Sequence, residues 1–309
     1  MAMNARRTGG DEAMTTVGFV GLGSMGLPMA RNLAARGFKV RGFDIRPSAM
    51  DGLDKAGGER ASSAAEAGRG AAVLVLMVVN AAQAEAVLFA GGALEALPPD
   101  GIVALMATCP PGAVESIAAR VLAAGRRFAD APVSGGVVGA VGGTLTVMAA
   151  APRETFDAAR PVFDAVGNKV FHVGERPGQG ATAKTVNQLL CGVHIAVAAE
   201  ALSLAAKVGV DLRVMLDILG GSSASSWMLK DRGPRMLQAD PEVTSAVDIF
   251  VKDLGIVLEA GREVKAALPL AAVAHQMFLA VSGRGDGAAD DSQVIRTYHA
   301  MSGAGVLRR

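Results

Sequence analysis

Between Thr16 and about residue 175, short apolar runs alternate with stretches whose apolar residues recur at helical spacing. The runs at 17–20, 39–43, 73–78, 102–107, 127–131, 145–150 and 170–172 have the length and character of buried strands. Stretches such as 27–36, 81–89, 114–124 and 153–166 read as the helices between them. This alternation predicts an α/β domain with a mainly parallel sheet and helices on both faces. After Gly174 the strand pattern stops. Residues 179–208 are apolar almost throughout and are predicted to form one helix about 45 Å long at the usual rise. Shorter helices are predicted at 211–219, 226–237, 243–265, 269–281 and 291–302, with Gly209-Val-Asp211 and Leu268-Pro269 marking boundaries. The second half is therefore expected to be an all-α domain joined to the first by the long helix. A helix that is apolar all round must be buried on several sides. This one is expected to carry the domain interface and a contact between subunits. The predicted divisions are 1–15, a polar tail expected to be disordered, with Met14 a second candidate start; then 16–177; then 178–309.

The first strand runs directly into Gly21-Leu22-Gly23-Ser24-Met25-Gly26. A glycine-rich turn between a strand and a helix is the dinucleotide fingerprint. Gly21 permits the tight turn, Gly23 lets a pyrophosphate approach the backbone, and Gly26 lets helix and strand pack closely. The helix N-terminus adds free N–H groups and partial positive charge for the phosphates. The second strand ends at Asp44, 18 residues past Gly26. A carboxylate there can hydrogen-bond the adenosine ribose and repel a 2′-phosphate, which favours NAD over NADP. Arg46 pulls the other way, because a nearby arginine could serve a 2′-phosphate. The first half thus reads as a Rossmann-type NAD-binding domain. Ligands of such sheets sit beyond the carboxyl ends of the strands, which places Val78, Val79, Asn80 and Thr108 at the cofactor edge.

Composition narrows the class of partner. The 309 residues are enough for two domains and a sizeable core; 51% are hydrophobic and 19% charged, as in a globular protein. The net charge of +1, with no basic block and 4% aromatic residues, argues against nucleic acid as the partner. Cys109 and Cys191 share no metal-ligand spacing, and His172, His194, His275 and His299 form no ligand cluster, so no metal site is expected. Free buried thiols in a reducing cytosol are the default for the cysteines. His194, inside the apolar helix, reads as a satisfied core residue. The first residues lack the apolar core of a signal peptide, and the mid-chain apolar stretch 71–79 is too short to span a membrane. A cytoplasmic protein without a membrane partner is the expectation.

Two further segments carry chemistry. Gly178-Gln-Gly-Ala-Thr-Ala-Lys184-Thr-Val-Asn187 places one lysine within the apolar helix. Burying an amine is expensive and lowers its pKa, so such a lysine can exchange protons near neutral pH. The interconversion of an alcohol and a carbonyl needs that exchange, which makes Lys184 the candidate general acid/base; a lysine snorkelling from a helix start is the plainer alternative. Asp130-Ala-Pro-Val-Ser134-Gly135-Gly136 follows a strand. It offers a hydroxyl and exposed N–H groups that could hold a carboxylate, or it is an ordinary turn.

The motifs GLGSMG (21–26), DAPVSGG (130–136) and GQGATAKTVNQ (178–188), in this order, resemble the β-hydroxyacid dehydrogenase family. That family includes 3-hydroxyisobutyrate dehydrogenase and tartronate semialdehyde reductase. The resemblance runs from about Thr16 to the C-terminus. It implies oxidation of a small hydroxyacid with NAD, with Lys184 as the catalytic lysine. It also implies that Ser134, Gly135 and Gly136 hold the substrate carboxylate, that Asn187 or Gln188 orients a hydroxyl, and that Thr108 and Lys252 reach the cofactor. Read alone, Lys252 is a solvated helix lysine paired with Asp253. Two departures stand out: Gln188 where the family often has a second asparagine, and Ala107-Thr108 where it usually has Ser-Thr. Gln188, Gly192-Val-His-Ile195, Ser226-Trp-Met-Leu and the segment Ser245–Gly255 are similar to the L-threonate dehydrogenase branch. That similarity implies oxidation of L-threonate to 2-dehydro-L-erythronate. Trp227 and Phe250 in those segments also suit simple helix packing. A homodimer or homotetramer is implied. A different substrate of the same family, or an NAD-binding module or sensor without turnover, are the competing readings.

Overall fold

A computed structural model describes residues 14–303, so the tail expected at 1–15 lies outside the described residues as far as residue 13. The chain begins β1 (Thr16–Val20), α1 (Gly26–Ala35), β2 (Lys39–Phe43), α2 (Pro47–Asp54), the short β3 (Glu59–Arg60) and α3 (Ala64–Gly68). It continues through β4 (Val73–Leu76), α4 (Ala81–Glu85), α5 (Ala93–Ala96), β5 (Ile102–Leu105), α6 (Pro111–Ala123) and β6 (Arg127–Asp130). Next come β7 (Val133–Ser134), α7 (Gly136–Gly142), β8 (Leu145–Ala150), α8 (Arg153–Val166) and β9 (Gly167–Gly174).

All nine strands join one sheet in the order β3-β2-β1-β4-β5-β6-β8-β7, with β9 also paired to β8. From β3 to β6 every pairing is parallel. β8 runs antiparallel to β6 and β7 and parallel to β9. Central parallel strands are covered on both faces, which is why β4 (VLVL) and β5 (IVAL) are unbroken apolar runs with every residue buried. One core, with Phe19, Met29, Leu33 and Phe163, covers one face of the sheet; Leu74, Leu88, Ile117 and Phe128 belong to the other. Val20 is level with Leu76, and Leu76 with Leu105. The chain therefore leaves β1, β4 and β5 along a common edge.

Strand ends differ from the sequence reading where apolar residues serve the edge rather than the ladder. β4 stops at Leu76 and β5 at Leu105, not at 78 and 107, and Val79 is exposed. β9 spans eight residues instead of 170–172, because its alternating exposure includes the polar Asn168 and Lys169. The helix expected at 81–89 is α4 followed by a π-helical turn at Ala86–Ala90. The DAPVSGG segment, expected as a loop, contains β7 and the start of α7.

The helical half begins with α9 (Gln179–Lys207), one helix of 29 residues. It is followed by α10 (Leu212–Gly221), α11 (Trp227–Met236), α12 (Val247–Glu263), α13 (Pro269–Val281) and α14 (Ile295–Ser302). Asp211 and Ser226 cap α10 and α11 by accepting from backbone N–H groups. The helix expected at 243–265 begins only at Val247, because Thr244 N donates to Asp290 and Asp291 N to Ser245 O. α9 is long and apolar enough to cross a membrane by length and mean hydropathy, but half of its apolar window is buried inside the protein. Ile195 and Leu202 of α9 share a core with Phe250, Phe278 and Val294. Its opposite face leaves Val186, Val197 and Leu204 exposed.

Candidate active site

The turn after β1 is built to bring backbone close to a ligand. Gly21 has φ 97°, and a Cβ on it would lie 2.3 Å from Met77 O. A Cβ on Gly26 would lie 1.8 Å from Gly21 O. Over Gly23, by contrast, the nearest atom is Arg46 Nη2 at 3.6 Å, so the turn is open where a pyrophosphate would approach. No side chain caps α1 and no acidic residue occupies its first turn. Leu27 N donates to Gly23 O, Met29 N to Met25 O, and Pro28 has no N–H, so the N–H groups left for an anion are those of the turn before Leu27. These features fit a dinucleotide.

Asp44 follows β2 as expected but is already engaged. Its carboxylate accepts from Leu22 N at 2.8 Å, Arg46 N at 2.9 Å and Arg46 Nε at 3.2 Å. Burial pushes its pKa up, but the hydrogen bonds from Arg46 and Leu22 outweigh burial and hold it below the ordinary value. Leu22, Arg46 and Ser48 line a small separate cavity beside the turn.

A cavity of about 1030 Å³ runs from the turn to the helical half. One wall is the sheet edge: Gly23 to Gly26, Val78, Val79 and Thr108. Asn80 lies apart from this wall, its Oδ1 capping α4 by accepting from Gln83 N. A second wall is the loop Ser134-Gly135-Gly136, where φ values of 132° and 61° at the glycines turn the backbone sharply. The third is α9, which presents Lys184, Asn187 and Gln188, residues i, i+3 and i+4 on one face.

Lys184 is 6% exposed, so it does not snorkel to the outer surface. Its Nζ donates to no described residue, yet it is not sealed off: Lys184 borders the cavity. Burial pushes its pKa below the ordinary value; Asp253 opposes that shift and Lys252 adds to it. Ser134 Oγ donates to Asn187 Oδ1 at 3.0 Å, which ties the loop to α9. Gln188 Nε2 donates to the buried Asp253 Oδ2 at 2.5 Å. Asp253 Oδ1 lies 2.8 Å from Lys252 Nζ, which also donates to Thr108 O at 3.2 Å. Lys252 is thus both paired with Asp253 and joined to the sheet edge.

Asp130, at the end of β6, accepts from Gly178 N and Ala181 N, each at 2.9 Å. It caps α9 from the sheet domain. Burial pushes its pKa up to about 6, against the pull of those backbone hydrogen bonds. A Cβ on Gly180 would lie 2.4 Å from Asp130 O, so glycine is needed for this approach.

Sequence reasoning missed several residues of the cavity. Asp253 was seen only as a partner for Lys252, although its place one residue along in the buried face of α12 was readable. Asp231 and Arg235 on α11 gave no motif signal, since a charged helix usually means a solvated face. His194 is corrected: it borders the cavity, partly exposed, instead of sitting in the core. Phe250 keeps its packing role, stacked on Phe278 at 5.2 Å, whereas Trp227 is half exposed on the cavity wall.

Two family models match the chain. The NAD binding domain of 6-phosphogluconate dehydrogenase matches residues 16–174, and the NAD-binding region of NADP-dependent 3-hydroxyisobutyrate dehydrogenase matches residues 178–298. An L-threonate dehydrogenase of Cupriavidus necator is 44% identical over 91% of this chain and 95% of its own length. A 3-hydroxyisobutyrate dehydrogenase of Pseudomonas aeruginosa is 37% identical over 86% of this chain and 91% of its own. The crystal structure of a 3-hydroxyisobutyrate dehydrogenase from Salmonella typhimurium superimposes with a TM-score of 0.87 at 42% identity, covering 91% of this chain and 99% of that one.

Proposed function

This chain belongs to the β-hydroxyacid dehydrogenase family, NAD(P)-dependent oxidoreductases, and we propose that it oxidises L-threonate to 2-dehydro-L-erythronate with NAD, Lys184 acting as general base. The observation that carries the reading is the Lys184 amine: buried, without a hydrogen-bond partner among the described residues, and bordering the cavity between the dinucleotide turn and the Ser134 loop. The substrate carboxylate docks on Ser134-Gly135-Gly136. Asn187, whose Oδ1 is occupied by Ser134, has its amide nitrogen left to orient a hydroxyl. Lys184 takes the hydroxyl proton. NAD, when bound over Gly21–Gly26, supplies the acceptor for the hydride leaving the same carbon. Val78, Val79 and Thr108, which line the cavity at the sheet edge, would hold it, and Lys252 fixes Thr108 O. The protein works as a soluble cytoplasmic homo-oligomer, its subunits meeting through the exposed apolar face of α9.

The test is NADH formation with L-threonate beside 3-hydroxyisobutyrate and glycerate, in wild type and Lys184→Ala. L-Threonate is expected to be the best of the three. The variant is expected to lose ~100- to 10,000-fold in turnover, the usual range for a positioned acid/base, while still binding NAD. Near-wild-type turnover in the variant would remove Lys184 from this role. A faster rate with 3-hydroxyisobutyrate or glycerate would replace the substrate and leave the family reading standing.

A further inference from the structure

The cavity extends past the reacting groups to a wall formed by α11. Trp227 and Asp231, one turn apart, both line it. Trp227 is half exposed, and its ring edge, Cη2, lies 3.9 Å from where a Cβ on Gly136 would be. The indole therefore reaches from α11, which also carries Asp231, to the Ser134–Gly136 loop. We propose that Trp227 and Asp231 form a second recognition site, which binds a hydroxyl at the far end of the substrate. This rests on the dehydrogenase reading above.

Asp231 is held rather than free. Its Oδ2 accepts from Arg232 Nη1 and, at 2.9 Å, from Arg235 Nη2. Arg232 is buried and grips Asp291 with two hydrogen bonds of 2.9 and 2.8 Å. Arg235 Nε lies 3.2 Å from Asp290, whose other oxygen accepts from Thr244. The carboxylate position is thus fixed by two guanidinium groups that are themselves anchored. Asp231 Oδ1 accepts from none of the described residues and is not among the buried unpartnered atoms, so it keeps exposed surface on a residue that lines the cavity.

Chemistry selects the ligand group. A preset carboxylate oxygen accepts hydrogen bonds only, so it needs a donor. The cluster holds Asp231, Asp290 and Asp291 against Arg232 and Arg235, an excess of one negative charge, which disfavours a second carboxylate. An alkyl end would strip water from Oδ1 and return nothing. A hydroxyl satisfies it, and the indole face offers an apolar surface to the C–H groups of the chain. A site built to bond a hydroxyl rejects analogues that lack it more sharply than an apolar pocket rejects a methylene.

The test compares kcat/KM for L-threonate, 2-hydroxybutyrate (the same carbon skeleton without the distal hydroxyls) and tartrate (a carboxylate at the far carbon). Wild type is expected to prefer L-threonate over each by ~10- to 100-fold, the range for a hydrogen bond to a charged group. In Asp231→Ala the preference over 2-hydroxybutyrate should fall toward one. Because that change unpairs two arginines, Asp231→Asn, which keeps the shape, is run beside it, with thermal melts of both; its preference should fall by ~3- to 10-fold. Equal losses on L-threonate and 2-hydroxybutyrate would mean a structural role only and overturn the proposal. So would a wild type that oxidises 2-hydroxybutyrate or tartrate as well as L-threonate. A wild type that binds NAD but oxidises none of the three overturns the dehydrogenase reading on these acids, and the subsite with it.

Discussion

The charge on Lys184 is decided by its neighbours more than by lysine itself. Burial favours the neutral amine, the Asp253 carboxylate favours the ammonium, and Lys252 disfavours it. For alcohol oxidation the base must be neutral, so kcat/KM should rise with pH and level off once Lys184 has lost its proton, below the ordinary lysine value of 10.5. Asp253→Asn removes the carboxylate that does most to raise this pKa. The midpoint of the profile should then move to lower pH; a midpoint that stays or rises would show that Asp253 does not act on the lysine charge. A second residue-scale prediction concerns the cofactor. Asp44 is bound to Leu22 N and to Arg46, so Asp44→Ala removes a negative charge from the proposed ribose site and frees the guanidinium at once. The preference for NAD over NADP should narrow, by steady-state kinetics with both cofactors. An unchanged ratio would show that Asp44 is not the selector.

At the scale of elements, the joint between β6 and α9 has a pH signature. Asp130 has a folded-state value near 6, above the ordinary 3.8. Its protonated form thus stabilises the fold fully below about pH 4, and that contribution is lost as pH rises through about 6. Asparagine has no such titration. Chemical denaturation of Asp130→Asn and wild type from pH 4 to 7 should show the balance shifting toward the variant by on the order of 1–3 kcal/mol. A flat difference would mean that Asp130 is not raised. The elements themselves were legible where burial is two-sided or caps are local: β1, β2, β8, α8, α9 and α13 lie within a residue of the sequence reading. Short elements were not. β3 pairs through Glu59 and Arg60, both exposed, and its place is set by β2 rather than by its own pattern. For the site, Lys184, Ser134 and Asn187 stood out because polar groups in apolar or glycine-rich settings are unusual. Asp44 had the right spacing, but its engagement with Arg46 depends on side-chain geometry that spacing does not encode. Asp231 and Asp253 became visible only when α11 and α12 folded against α9.

For the whole molecule, α9 has two unlike faces. One carries Lys184, Ile195 and Leu202 into the protein; the other exposes Val186, Val197 and Leu204 at spacings of eleven and seven. Exposed apolar residues along one row of a helix are where the proposed subunit contact is expected. Val197→Glu with Leu204→Glu should shift sedimentation toward a smaller species than wild type. Equal sedimentation would place any subunit contact elsewhere.

The hydrogen bonds from Gly178 and Ala181 to Asp130, and from Ser134 to Asn187, have a mechanical consequence. They rivet the start of α9 to the sheet domain on both sides of Lys184. Lys184, the proposed proton acceptor, and the Ser134 loop are thereby tied to one body. Leu229 and Met236 of α11 share a core with Ile195 and Leu202 of α9, so the Trp227 wall is held to the same helix as Lys184 rather than hinged against it.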